Sequence, residues 1–184
     1  MIGCQGGSRL VERLDTRSGL TFVSEAQAQV FARTESRYSR SARDYVYIGP
    51  VETNERGTRE YFLWVGIAST LDRGYVAPET ETFVPEVLYA NVQDEVMAFE
   101  LRPLSERIPR LASIKFYNPA VKLTTELAAR VTVEQLALLS NESPAQIRIG
   151  LVNGQTLDFY LWEKSPGWPD FLRHAAEFSA AAGR

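Results

Sequence analysis

The chain has 184 residues, 45% of them hydrophobic, and a formal net charge of −3. That length suits one domain whose core needs no disulfide or metal staple. The weak negative charge supplies no global field toward nucleic acid, and no nucleic-acid partner is expected. A single cysteine, Cys4, excludes an intrachain disulfide, and a single histidine, His174, excludes any site built on two His ligands.

Residues 1–8, with Gln5-Gly6-Gly7-Ser8, read as a flexible leader, and 9–184 as a single β-rich domain. A first hairpin is predicted from Arg9–Leu14 and Leu20–Val23 across a turn at 15–19. Residues 24–43 are ambiguous. Ser24 could cap a short helix running to Ala32, and Gln29-Val30-Phe31 could equally be a strand. The clearest element is a hairpin over 44–70, with Tyr45-Val46-Tyr47-Ile48 and Tyr61-Phe62-Leu63-Trp64-Val65 joined through Asn54-Glu55-Arg56-Gly57. Another hairpin pairs Glu86–Ala90 with Glu95–Leu101, with Pro85 near its strand start, where a missing donor does least harm. Ala112–Tyr117 is predicted as a strand, and Val121–Val131 as a second. Thr132-Val133-Glu134-Gln135 fits a capping box opening a short helix near 133–140. Asn153-Gly154 is the strongest short turn signal, joining Gln146–Val152 to Thr156–Glu163. The chain closes on a helix near 169–179, with Trp168, Phe171, Leu172, Ala175 and Phe178 on one face.

About nine or ten short antiparallel strands imply a mainly β fold, either a β-sandwich or an open barrel. The two helices should cover an open end or an edge strand. Ile48-Gly49-Pro50-Val51 followed by Tyr61-Phe62-Leu63-Trp64 is echoed by Ile149-Gly150-Leu151-Val152 followed by Phe159-Tyr160-Leu161-Trp162. The segments between the hairpins show no match, so repetitive hairpin chemistry accounts for the echo better than duplication does.

Met1-Ile2-Gly3-Cys4 resembles the junction at which bacterial lipoprotein signals are cut, a small residue followed by the cysteine that is acylated. The resemblance covers about four residues and reaches only the broad class of small bacterial outer-membrane lipoproteins. It implies lipidation at Cys4 and an outer-membrane location facing the periplasm, provided that a hydrophobic signal precedes Gly3. Without one, the protein is expected in the cytoplasm. Gln5 directly after the cysteine agrees with outer-membrane sorting, and the Gly-rich stretch would serve as a leash.

Other features that could carry chemistry are sparse. Arg33, Arg37, Arg40 and Arg43 form a local basic cluster. On a helix the first three would share a face able to meet phosphate or lipid headgroups, although Ser36, Ser39 and Ser41 favour a solvated loop. Trp64, Trp162 and Trp168, with Tyr61 and Tyr160, could supply an aromatic platform for sugar rings; aromatics on strands are more often core. Carboxylates on predicted strands, among them Glu60, Glu100, Asp158 and Glu163, leave a glycosidase pair open without selecting one. His174 beside the apolar stripe of the last helix reads as an edge residue. No phosphate loop, nucleophile elbow or dinucleotide fingerprint occurs, and nothing calls for a metal or organic cofactor.

Three readings follow. The first is a non-enzymatic envelope lipoprotein that binds or scaffolds, tethered at Cys4, with another envelope protein or a glycan as partner. The second is a carbohydrate-binding module or glycan-processing enzyme, which needs exposed Trp and Tyr and fails if all three Trp are buried. The third is a cytoplasmic interaction domain using 33–43.

Overall fold

The computed structural model describes residues 10–34, 42–70, 84–92, 95–111, 114–142 and 144–182, and side chains within these except at 141–142 and 178–182. Among these residues are eleven strands: β1 Leu10–Asp15, β2 Leu20–Glu25, β3 Gln29–Thr34, β4 Arg43–Glu55, β5 Thr58–Ser69, β6 Pro85–Val92, β7 Glu95–Glu100, β8 Arg102–Pro103, β9 Leu123–Val131, β10 Gln146–Leu151 and β11 Thr156–Glu163. Three helices accompany them: α1 Leu104–Arg107, α2 Val133–Glu142 and α3 Trp168–Ala182.

All strand pairs are antiparallel, in the order β7-β6-β10-β11-β3-β4-β5-β9-β8. Only Leu101 separates β7 from β8, so the two ends of this path meet through the chain and the sheet nearly closes into a barrel. Closure answers the edge problem that an open sheet would leave. The β1–β2 hairpin attaches as a flap: β2 pairs Thr21–Ser24 with Val51–Asn54 of β4, beyond the stretch of β4 that β3 occupies.

Alternation along β4 and β5 separates two cores. Val46, Ile48, Leu63, Val65 and Ile67 point into the barrel, where Phe31, Leu88, Ile147 and Phe159 meet them. Leu136 and Leu139 of α2 and Trp168 and Phe171 of α3 pack into the same core. The space left between Gln29, Leu88, Leu139 and Trp168 is about 10 Å³, so this part of the barrel is filled by side chains and holds no ligand-sized lumen. Tyr47, Val51, Phe62, Trp64 and Ala128 point outward into a second core, covered by Leu104, Ile108, Leu111, Phe116 and Tyr117. Phe116 meets Phe22 edge-on at 5.1 Å, and the Tyr117 ring lies 4.8 Å from that of Trp64. The Tyr117 hydroxyl donates to the Pro50 carbonyl at 2.9 Å. Gly49 makes this possible, since a Cβ there would come within 2.2 Å of the Tyr117 ring.

The mainly β class, the hairpins and both helices are as the sequence predicts. The capping box forms: the Gln135 N–H donates to Thr132 Oγ1 at 3.2 Å, and the Thr132 N–H donates to Gln135 Oε1 at 2.9 Å. One alternative is settled and one expectation changes. Within the ambiguous 24–43 region, Gln29–Thr34 is strand rather than helix, because β3 fills the place between β4 and β11 and tertiary pairing overrides Ala-rich propensity. Residues 114–117 are not a strand; Phe116 and Tyr117 instead cover the outer core. The wrap itself, α1 and the 3-10 turn at Pro109–Leu111 have no strong periodicity in the sequence.

Candidate functional site

A concavity with aromatic walls lies outside the barrel, beside β3, β4 and the end of β11. It is a cleft of about 390 Å³ lined by Tyr45, Tyr47, Tyr117, Asn118, Trp162 and Glu163, with small apolar side chains from 26–30 and 119–121. Tyr45 and Tyr47 share a face because they are two apart on a strand, and their rings lie 6.2 Å apart. Burial holds the Tyr47 phenol above its ordinary pKa, so it stays a hydrogen-bonding hydroxyl rather than a phenolate. The opposite wall exists because Tyr117 anchors residues 117–121 across the outer face.

Trp162 is the exposed aromatic of this set. The pairing of β11 with β3 shifts between Leu161 and Glu163, and Trp162 sits at that irregularity. Bulges of this kind re-aim a side chain out of the pleat. The ring is 60% exposed, and the Arg43 guanidinium lies 5.1 Å from its centroid. That cation–π contact steadies the ring while leaving it open.

Of the three tryptophans, Trp64 and Trp168 present no face to solvent, at 1% and 4% exposure. Trp64 lies in the outer core with its indole N–H donating to Glu126 at 3.1 Å, and Trp168 lies in the barrel core. The structure therefore does not bring the three together, and an aromatic platform can use Trp162 alone among them. Tyr160, 58% exposed, stands two residues before it. The arginines also part company. Arg33 lies on a strand, turns inward to Asp44 at 3.3 Å and rests over Phe159, while Arg43 projects outward to Trp162. Arg37, Arg40 and Cys4 lie outside the described residues.

Three buried polar clusters were not legible in the sequence. Asp44 joins Arg33 and accepts from the Ser69 hydroxyl at 2.7 Å. Glu52 pairs with Arg59 and lies 3.6 Å from His174 Nε2, tying α3 to β4. Burial raises the Glu52 carboxyl pKa, with Arg59 and then His174 opposing. Glu25 is fully buried and accepts from the Ser165 hydroxyl. Desolvation pushes its pKa to about 8, helped by Asp170 and opposed by Ser165 and the Gly167 backbone. Gly167 has no room for a side chain, since a Cβ would stand 2.6 Å from the Glu25 carboxylate. Glu25 thus docks the start of α3 as a neutral acid.

The strand carboxylates Glu60, Glu100 and Asp158 are engaged outside the barrel by Arg130, by Arg102 and Arg107, and by Arg148 respectively. No group of three or more metal-ligating side chains is present among the described residues, and none of their helices is long and apolar enough to cross a membrane. Comparison with protein-family models, curated proteins and solved structures yields no match.

Proposed function

We propose that this protein acts by binding, and that its ligand is a glycan seated in the cleft at Trp162. The observation that carries this reading is one exposed indole, held by Arg43 and aimed into a cleft with Tyr45 and Tyr47. A pyranose ring has a flat face of C–H groups that packs on such an indole, and equatorial hydroxyls that meet polar groups around its edge. Glu163, Asn118, Tyr45 and Tyr47 also line the cleft and carry such polar groups. The cleft volume lies in the range typical of small-molecule sites. The filled barrel core supports an external site.

The Gly3-Cys4 junction supports a tether in the bacterial outer membrane, which would hold the domain in the periplasm among envelope glycans. Isothermal titration with oligosaccharides of β-1,4-linked glucose, N-acetylglucosamine and xylose tests the binding reading. Trp162→Ala should weaken the best binder by about 2 kcal/mol, roughly thirtyfold. No binding by any of them, or equal binding by the variant, would refute the reading.

A further inference from the structure

Beyond the Trp162 cleft, the outward faces of β11, β10, β6 and β7 carry no covering segment among the described contacts, and their residues fall in register. Gln146 of β10 is paired with Tyr160 of β11. The Ile147–Ala90 and Arg148–Tyr89 pairs then place Asn91 of β6 beside Gln146, and Asn91 is paired with Val96 of β7. Tyr160, Gln146, Asn91 and Val96 therefore stand on one level across four strands. A second concavity of about 390 Å³ opens along this row, lined by Tyr89, Asn91, Val96, Gln146 and Arg148. Tyr89 packs beside Gly150, where a Cβ would come 3.1 Å from the Tyr89 ring.

We propose that the Trp162 cleft is one end of a longer track, and that the ligand is an extended, uncharged polysaccharide chain rather than a single sugar or a disaccharide. The proposal rests on the glycan reading above and deepens it. Two residues along a strand span ~6.7 Å and three strand spacings across the sheet span ~14 Å, so Trp162 and Val96 lie on the order of 16 Å apart. That is several sugar rings. Along it, exposed rings at Trp162 and Tyr160 give way to the amides of Gln146 and Asn91, which can donate to and accept from hydroxyls. The charges on the track cancel. Arg148 is paired with Asp158 at 2.8 Å, and Arg43 over Trp162 and the neighbouring Glu163 bring one charge of each sign to the other end. A polyanion or polycation would find no net complement here.

The test compares hexasaccharides with disaccharides of the same three β-1,4-linked series by titration calorimetry, on the wild type, Tyr160→Ala and Trp162→Ala, each checked for native circular dichroism. The expected result is a hexasaccharide that binds at least about tenfold more tightly than its disaccharide, with that advantage largely lost in Tyr160→Ala. Trp162→Ala should weaken both. Equal affinity for the two lengths, with Trp162→Ala still weakening both, would overturn the track and leave the cleft reading standing. An advantage that survives Tyr160→Ala would also overturn the track. Failure of every saccharide to bind would overturn both.

Discussion

Replacing Glu25 by Gln should make the protein more stable in alkali and flatten its dependence on pH. Glu25 is fully buried, and its pKa is raised from an ordinary 4.5 to about 8. The folded protein therefore holds a proton at pH 7 that the unfolded chain releases. Where the native state binds more protons, stability falls as pH rises. This contribution is complete below about pH 4.5, declines through the interval to about pH 8, and is lost above it. With about 1.4 kcal/mol per pH unit, the wild type should lose on the order of 3 kcal/mol between pH 5 and pH 7.5 from this group. Glutamine keeps an oxygen for Ser165 and Gly167 but has no proton to lose. Its amide nitrogen takes the place of Glu25 Oε1, which has no hydrogen-bond partner among the described residues, so an offset of about 1–3 kcal/mol acts against the variant at low pH. The variant should thus start level with or below the wild type at pH 5 and gain on it steadily to pH 8. In a chain of this size each kcal/mol moves the Tm by about 2–4 °C. Urea melts of both proteins from pH 4.5 to 8.5 measure the difference directly. Parallel pH profiles would refute the assignment of Glu25 as a buried neutral acid.

Three further outcomes follow from the same physical grounds. Gly49→Ala should expel Tyr117 from its contact with Trp64 and Pro50, with a loss of about 3 kcal/mol or more in chemical denaturation and a reshaped Trp162 cleft, because the displaced atoms are a packed ring. Unchanged stability would contradict the wrap of 114–121 over β4. Thr132→Ala removes one half of the capping box and should cost about 1 kcal/mol in the same assay, with little change at the cleft. Expressed from its genomic context, the protein should carry acyl mass on Cys4 that Cys4→Ser abolishes, read by intact mass spectrometry of membrane fractions; a soluble, unmodified chain would remove the tether.

The hairpins were legible because their turns require particular residues. Asn153-Gly154 and Arg56-Gly57 place glycines at φ values of 82° and 93°, and flanking β-branched and aromatic residues leave few alternatives. The capping box was legible for the same reason, being a local chemical pattern. The closure of the sheet was not, because it depends on β3 reaching β11 and on β8 reaching β9, pairings remote in sequence. Half of the candidate site could be read: alternation sets Tyr45 and Tyr47 on one face, and the position of Trp162 at a strand end left its exposure open. The other half could not, since the wall at 117–121 is placed by Tyr117 docking over a glycine 68 residues away. Of the two echoed Ile-Gly pairs, Gly49 is required by the Tyr117 ring, since a Cβ would come within 2.2 Å of it, whereas a Cβ at Gly150 would stand 3.1 Å from the Tyr89 ring.

Shielding of Trp162 by ligand tests the central claim most directly. Trp64 and Trp168 are buried, so collisional quenching of indole fluorescence by acrylamide reports mainly on Trp162. The account predicts that a saturating β-1,4-linked hexasaccharide removes most of that quenching in the wild type, and that Trp162→Ala abolishes the protectable fraction. Quenching that is unchanged by every saccharide tried, with Trp162 as open as before, would contradict it.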